Sequence, residues 1–135
     1  MLANSAKFED RELEFVKKLQ KLGHEVFQTA GVDDPIRKNE TMQEYRRRMH
    51  KKSIMRIRDE VDAILAINLP QNGQDGFIGA GVFSEIVYAF VFNKKIFILY
   101  DLLPRELLSS EQNLIRDEIE MSNPIILNGD LSKIS

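Results

Sequence analysis

The chain has 135 residues, of which 43% are apolar, and a formal net charge of −2. These values predict one domain, 1–135, with a substantial core, and the balanced charges give no electrostatic reason to expect nucleic acid as a partner. Because the sequence holds no cysteine, disulfides, thiolate metal sites and cysteine nucleophiles are excluded, as is typical of a reducing compartment. We expect a cytoplasmic protein with no membrane partner, since no signal segment follows Met1 and the longest apolar run, 86–92, is too short for a membrane span.

Helical and strand-like segments alternate along the first half of the chain. Residues 1–4 offer at most a truncated first strand. Helical spacing of apolar side chains predicts an amphipathic helix over 10–22 that ends at Gly23, with Leu13, Val16, Leu19 and Leu22 on its apolar side and Phe15 beside them. A short strand over 24–29, a turn-rich connection and a second helix over about 41–60 follow.

The second half continues the same alternation. The continuous apolar run 63–67 is typical of a strand covered on both faces, and it leads into a loop, 69–81, with four glycines and a proline. An almost entirely apolar helix over 82–92, a strand over 96–100, a polar helix over 104–121 and a last strand over 124–127 complete the pattern. We therefore predict an α/β, Rossmann-like parallel sheet of about five strands with helices on both faces.

Glu85 is the strongest candidate for chemistry. It lies near the start of the apolar helix and directly after the glycine loop, close to the predicted carboxyl edge of the sheet, where such folds bind ligands. A helix N-terminus favours an ionised carboxylate, and apolar neighbours limit its hydration, so Glu85 could act as a nucleophile at an electron-poor carbon. The alternative is a first-turn glutamate that satisfies backbone donors.

Three other stretches carry polar groups that suit a ligand. The loop glycines, including Gly79 and Gly81, allow close backbone approach to a ligand, although an ordinary flexible loop explains them better. Asn4, Ser5 and Lys7 would suit a phosphate or sugar at a strand-to-helix turn, or Ser5 would simply cap the helix. The basic run 46–52 indicates either a solvated face or steering of an anionic substrate. His24 and His50 lack partners at metal-ligand spacing, so we predict no metal and no cofactor.

The residues from Asp62-Ala-Ile-Leu-Ala-Ile-Asn68 through Gly-Phe-Ile-Gly-Ala-Gly-Val-Phe-Ser-Glu85-Ile-Val-Tyr-Ala-Phe to Asn93-Lys-Lys-Ile-Phe-Ile-Leu99 resemble the nucleoside 2-deoxyribosyltransferase-like family. The most specific part is Gly-x-x-x-Glu-x-x-Tyr-Ala, from Gly81 to Ala89. Phe8, Leu-Gly23-His-Glu-Val26 and the tail Ile-Leu-Asn128-Gly-Asp-Leu also fit.

The resemblance implies a flavodoxin-like sheet and N-glycosidic bond cleavage or transfer on a 2′-deoxynucleoside or its 5′-monophosphate, with Glu85 as the nucleophile. The predicted substrate-binding residues are Asn4, Ser5, Lys7, Phe8, Asn68, Gly79, Gly81 and Tyr88. The family also places an Asp about two helical turns before the strand that starts near Asp62, where this chain has Ile54.

Two other functions stay open. A non-catalytic nucleotide-binding or sensing module is favoured by Ile54 in place of an acid, and a purely structural oligomerisation domain is the third possibility. In each case we expect a homo-oligomer formed through the apolar helix 82–92, because its outward side chains are as apolar as its inward ones.

Overall fold

The fold is an α/β arrangement built around a parallel sheet. The structure, a computed structural model, describes residues 1–4, 9–70 and 76–135. In these ranges the strands, in their spatial order, are β1 (Leu2–Asn4), β2 (Ala63–Ile67), β3 (Lys95–Ile98) and β4 (Ile125–Ile126), and every neighbouring pair is parallel. The helices are α1 (Glu9–Lys21), α2 (Met42–Asp59), α3 (Ala80–Val91) and α4 (Ser110–Met121).

Both faces of the sheet are covered, as the apolar run of β2 predicts. Side chains alternate along a strand, so Ile64 and Ala66 face one side while Leu65 and Ile67 face the other. The first side packs against α2, α3 and α4, and the second packs against α1 and the C-terminal residues around Leu131. The prediction of helices on both faces is therefore confirmed.

The predicted strand over 24–29 does not form, so the described sheet has four strands rather than about five. This segment lies beside β1, where the Leu2 backbone N–H donates to the Phe27 carbonyl at 2.9 Å. Because β1 spans only three residues, it offers a neighbouring segment few backbone groups with which to pair.

Two helices begin two or more residues away from their predicted starts. The predicted helix over 104–121 is divided into a 3₁₀ turn, Arg105–Leu107, and α4, because Ser109 caps α4 in a reciprocal box with Gln112. α3 begins at Ala80, two residues before the prediction, and Gly79 precedes it. Within the described ranges, none of these helices combines the length and apolar character needed to cross a membrane.

Candidate functional site

Glu85 lies in α3, on the side that packs against α2, and is only 9% exposed. Because α3 begins at Ala80, Glu85 belongs to its second turn, and the first turn holds no acid. The prediction that Glu85 sits on the opening turn is therefore wrong, and so is the alternative that it satisfies first-turn backbone donors. Its burial against the rest of the fold needs another explanation.

Burial raises the pKa of Glu85 from 4.5 to about 7, because the apolar surroundings disfavour the charged form. A hydrogen bond from Ser53 acts in the opposite direction, the negative charge of Glu12 raises the pKa further, and the Met1 amino group lowers it. Glu85 is thus a carboxyl for which both protonation states are populated near neutral pH, and not one kept ionised by a helix end.

Ser53 is the α2 residue that interacts with the Glu85 carboxyl. It is 6% exposed and lies one turn before the fully buried Ile57, on the inner side of α2. The next residue, Ile54, is half-buried. It stands where the resemblance implies an acid. Because residues four apart lie on the same side of a helix, the position of Ser53 four residues before the apolar Ile57 indicates from the sequence that it faces inward.

Glu12 is a second buried acid, which the sequence pattern did not predict. The side chain, on α1, is 0% exposed, and its Oε1 accepts hydrogen bonds from the Thr29 backbone N–H at 2.7 Å and the Thr29 hydroxyl at 3.0 Å. Its Oε2 has no hydrogen-bond partner among the described residues. Leu13, predicted on the apolar side of this helix, is 53% exposed, so the buried side is rotated by about one residue.

Asn68 joins the ends of β2 and β3. The side-chain Oδ1 accepts from the Tyr100 N–H at 2.9 Å, and Nδ2 donates to the Tyr100 carbonyl at 2.7 Å and, more weakly, to the Gly76 carbonyl at 3.4 Å. Gly76 has φ +64°, and a Cβ there would lie 2.6 Å from the Asp101 carbonyl oxygen. Asn68 is therefore engaged within the fold, and its contact with substrate stays a prediction.

The other predicted substrate-binding residues that the structure describes are Asn4, Gly79, Gly81 and Tyr88. Asn4 is buried at the carboxyl end of β1, beside Ile67 of β2. Gly79 is the N-cap residue of α3 and has no side chain with which to cap it. Space is open beside Gly81, because a Cβ added there would meet no atom within 4 Å. Tyr88 is half-buried one turn after Glu85, with its Oη 3.5 Å from Nε2 of His50.

Ser5, Lys7 and Phe8 lie outside the described residues, as does Gly73 of the glycine loop. Their predicted roles stay predictions.

The basic run on α2 is partly used in ion pairs. Arg48 contacts Asp34 at 2.6 Å and Glu40 at 2.8 Å, and Lys52 contacts Asp34 at 3.1 Å. The hydrogen bond from Arg48 is the main cause that lowers the pKa of Glu40 to about 2. These pairs attach the connection before α2 to the helix, while residues 46, 47 and 51 remain exposed. The steering role of the run stays a prediction.

A groove of about 350 Å³ opens at the opposite, amino edge of β1 and β2. Its lining includes Met1, His24, Phe27 and Asp62 and contains none of the predicted site residues. The buried acids Glu12 and Glu85 also lie outside this groove.

The chain was also compared with known proteins. No protein-family model matches the sequence, and no curated protein is similar to it. The likeness of residues 62–99 to the nucleoside 2-deoxyribosyltransferase-like family therefore stays a prediction that rests on the motif around Glu85.

Proposed function

We propose that this protein cleaves or transfers the N-glycosidic bond of a 2′-deoxynucleoside or its 5′-monophosphate, with Glu85 as the nucleophile. One observation carries the proposal: a carboxyl on α3 is buried beside a hydroxyl, and the pKa is raised to about 7. Glutamates are seldom buried without a cationic partner, and catalytic acids are among those that are.

A buried carboxylate suits this reaction because it is poorly hydrated and can approach a carbon that becomes positively charged. The Glu85 oxygen would attack the anomeric carbon as the bond to the base breaks, giving a covalent glycosyl-enzyme intermediate. Water or a second base would then take the sugar. Since only the ionised carboxylate is nucleophilic, the rate should rise with pH through about 7.

The test uses chromatography to measure the free base released from deoxynucleosides and from their monophosphates. Wild type should release base and Glu85→Gln should release at least about 1,000-fold less, as expected when a nucleophile is removed. Glu14→Gln is the matched control, because Glu14 is an exposed acid on α1. No base from wild type, or equal rates for wild type and Glu85→Gln, would reject the proposal.

A non-catalytic nucleotide-binding or sensing module is the second candidate. The observation that favours it is the neutral Ser53 beside Glu85, with Ile54 next to it, where the resemblance implies an acid. Calorimetry distinguishes the two: nucleotide binding in the micromolar range without any turnover would support the binding module.

We also propose that the protein is a homo-oligomer through the outer side of α3. Val87, Phe90 and Val91 are 38%, 52% and 60% exposed, an apolar group on the solvent side of a helix. Sedimentation equilibrium tests this: wild type should be larger than one chain, and Phe90→Glu should shift the mass towards a single chain. A monomeric wild type would exclude it.

A further inference from the structure

A second groove, of about 490 Å³, lies at the carboxyl edge of the sheet, on the side that α1 covers. Its walls are formed by α1, by residues that follow β2 and β3, and by residues 129–132. The volume is typical of sites that hold a small organic ligand, about 300–1,000 Å³. Glu85 does not line this cavity, because α3 packs on the other side of the sheet. We call it the α1 groove.

Tyr100 presents an aromatic ring to the α1 groove. The residue is 44% exposed, although its backbone N–H and carbonyl are both hydrogen-bonded to the Asn68 side chain. The ring lies against Gly129, where an added Cβ would come within 3.2 Å of the Tyr100 Cε1 atom, and the Gly129 N–H donates to the Leu99 carbonyl at 2.9 Å. Because hydrogen bonds hold the backbone of both Tyr100 and Gly129, the ring is a preorganised surface on which a flat molecule can stack.

The wall that α1 contributes carries positive charge. Arg11, Lys18 and Lys21 line the groove at spacings of seven and three residues, which places them along one side of the helix. The Lys18 Nζ atom lies 5.8 Å from the centre of the Phe15 ring, and Phe15 lines the same groove. This contact places the Lys18 ammonium group at the groove wall.

Two acids, Glu14 and Asp130, also line the groove without pairing with these cations. Helical spacing brings Glu14 near Arg11 and Lys18, yet in the described part of the chain no ion pair joins it to either. The Asp130 carboxylate accepts hydrogen bonds from the Ser132 N–H at 3.0 Å and hydroxyl at 2.6 Å, which hold the pKa of Asp130 below its usual value. The cations of α1 therefore remain available to an anionic ligand.

An exposed ring and a positive wall in one cavity fit a ligand that joins a flat ring to an anion. Every nucleobase has a face that can stack on tyrosine, and a phosphate group accepts charge-assisted hydrogen bonds from arginine and lysine. We propose that the α1 groove binds a nucleoside monophosphate, with the base on Tyr100 and the phosphate against Lys18 and its basic neighbours on α1. This is a binding site separate from Glu85, and it does not depend on the proposed glycosidic activity.

A nuclear magnetic resonance titration locates the bound nucleotide. Deoxyadenosine 5′-monophosphate is added to isotope-labelled wild type and to Glu85→Gln, in which turnover cannot remove the ligand. In both proteins we expect the amide signals of Lys18, Leu22 and Gly129 to shift together and to saturate. Deoxyadenosine, which lacks the phosphate, and inorganic phosphate, which lacks the ring, should each bind at least about 10-fold more weakly, because each loses one set of contacts.

Matched variants test the two parts of the site separately. Tyr100→Leu removes the ring and should weaken binding by about 5-fold or more, whereas Tyr100→Phe keeps the ring and should bind like wild type. Lys18→Gln should weaken binding by about 10-fold. Lys17→Gln is its control, because Lys17 is an exposed residue of α1 that does not line the groove, and it should bind like wild type. Melting temperatures check that each variant folds.

The outcomes separate this site from the proposed function. Nucleotide shifts at Gly129 without release of base from any substrate would keep the α1 groove and reject the glycosidic activity. Shifts confined to the α3 amides around Glu85, or no shifts at all, would overturn the α1 groove. Equal affinities for deoxyadenosine and its monophosphate, or equal binding by Lys18→Gln and Lys17→Gln, would overturn it as well.

Discussion

Replacing Glu85 by glutamine should make the folded protein more stable at pH 8 than wild type. Ionised Glu85 is buried with one hydroxyl hydrogen bond and without a cationic side chain among the described residues, so folding at high pH carries an electrostatic cost. Glutamine has nearly the same shape and no charge, and its amide can still hydrogen-bond to Ser53. The substitution removes the cost without opening a cavity.

The raised pKa sets the size and sign of the effect. Below pH 4.5 the carboxyl is protonated in the folded and unfolded chains alike, and no cost arises. Between pH 4.5 and about 7 the unfolded chain releases the proton and the folded chain keeps it, so stability falls as pH rises. Each tenfold change in acidity corresponds to about 1.4 kcal/mol, so Glu85→Gln should gain up to about 3 kcal/mol above pH 7.

The assay is urea denaturation of wild type, Glu85→Gln and the exposed control Glu14→Gln at intervals from pH 4 to 9. The Met1 amino group has the opposite effect on the pH dependence of stability. Its pKa is lowered from 8.0 to about 6, so between these values the unfolded chain keeps a proton that the folded chain has released, and stability rises with pH. That contribution is common to wild type and Glu14→Gln, whereas Glu85→Gln also loses the negative charge that raises the Met1 pKa. The gain expected for Glu85→Gln is therefore measured at pH 9, where the Met1 amino group is mainly neutral in the folded and unfolded chains alike. Parallel curves for wild type and Glu85→Gln would refute the reasoning.

Four further substitutions test the geometry around the site. Gly76→Ala should lower the free energy of unfolding by about 2–4 kcal/mol, because the left-handed backbone is strained and the new Cβ meets the Asp101 carbonyl; wild-type stability would contradict this. Gly81→Ala should raise it by up to about 1 kcal/mol and yet slow catalysis if substrate approaches there; an unchanged rate would remove Gly81 from the site. Asn68→Leu should cost about 2 kcal/mol in urea denaturation, since the Tyr100 backbone groups lose their partners. Arg48→Met should speed amide hydrogen exchange over residues 34–40 and leave the sheet unchanged; uniform exchange would show that the ion pairs do not hold this connection.

The central part of the fold was predictable because its signals are local. The apolar run 63–67 coincides with β2, since a strand buried on both faces needs apolar side chains at every position. The helix after the glycine loop and the parallel order of the strands followed from the same alternation. Asn93, with φ +57°, ends α3 as the sequence indicates, because asparagine tolerates the left-handed conformation.

The failures have tertiary causes. The strand propensity of residues 24–29 does not produce a strand, because the neighbouring β1 has only three residues. One backbone hydrogen bond, from the Leu2 N–H to the Phe27 carbonyl, is observed between them. Burial of Glu12 was not visible because polar residues are normally assigned to the outer side of a helix, and only Thr29, distant in sequence, accounts for its position. Likewise, the partner of Glu85 depends on how α2 packs on α3. This packing places Ser53, and not Ile54, beside the Glu85 carboxyl.

The side chain of Asn68 behaves like one more peptide unit between β2 and β3. It offers one donor and one acceptor to Tyr100, the same pair of groups that a backbone residue would offer in a ladder. The sheet therefore gains one more pair of hydrogen bonds beyond the end of β2, and the same amide also donates to the Gly76 carbonyl. One side chain thus connects Asn68, just after β2, and Gly76 to the residue that follows β3 and Leu99.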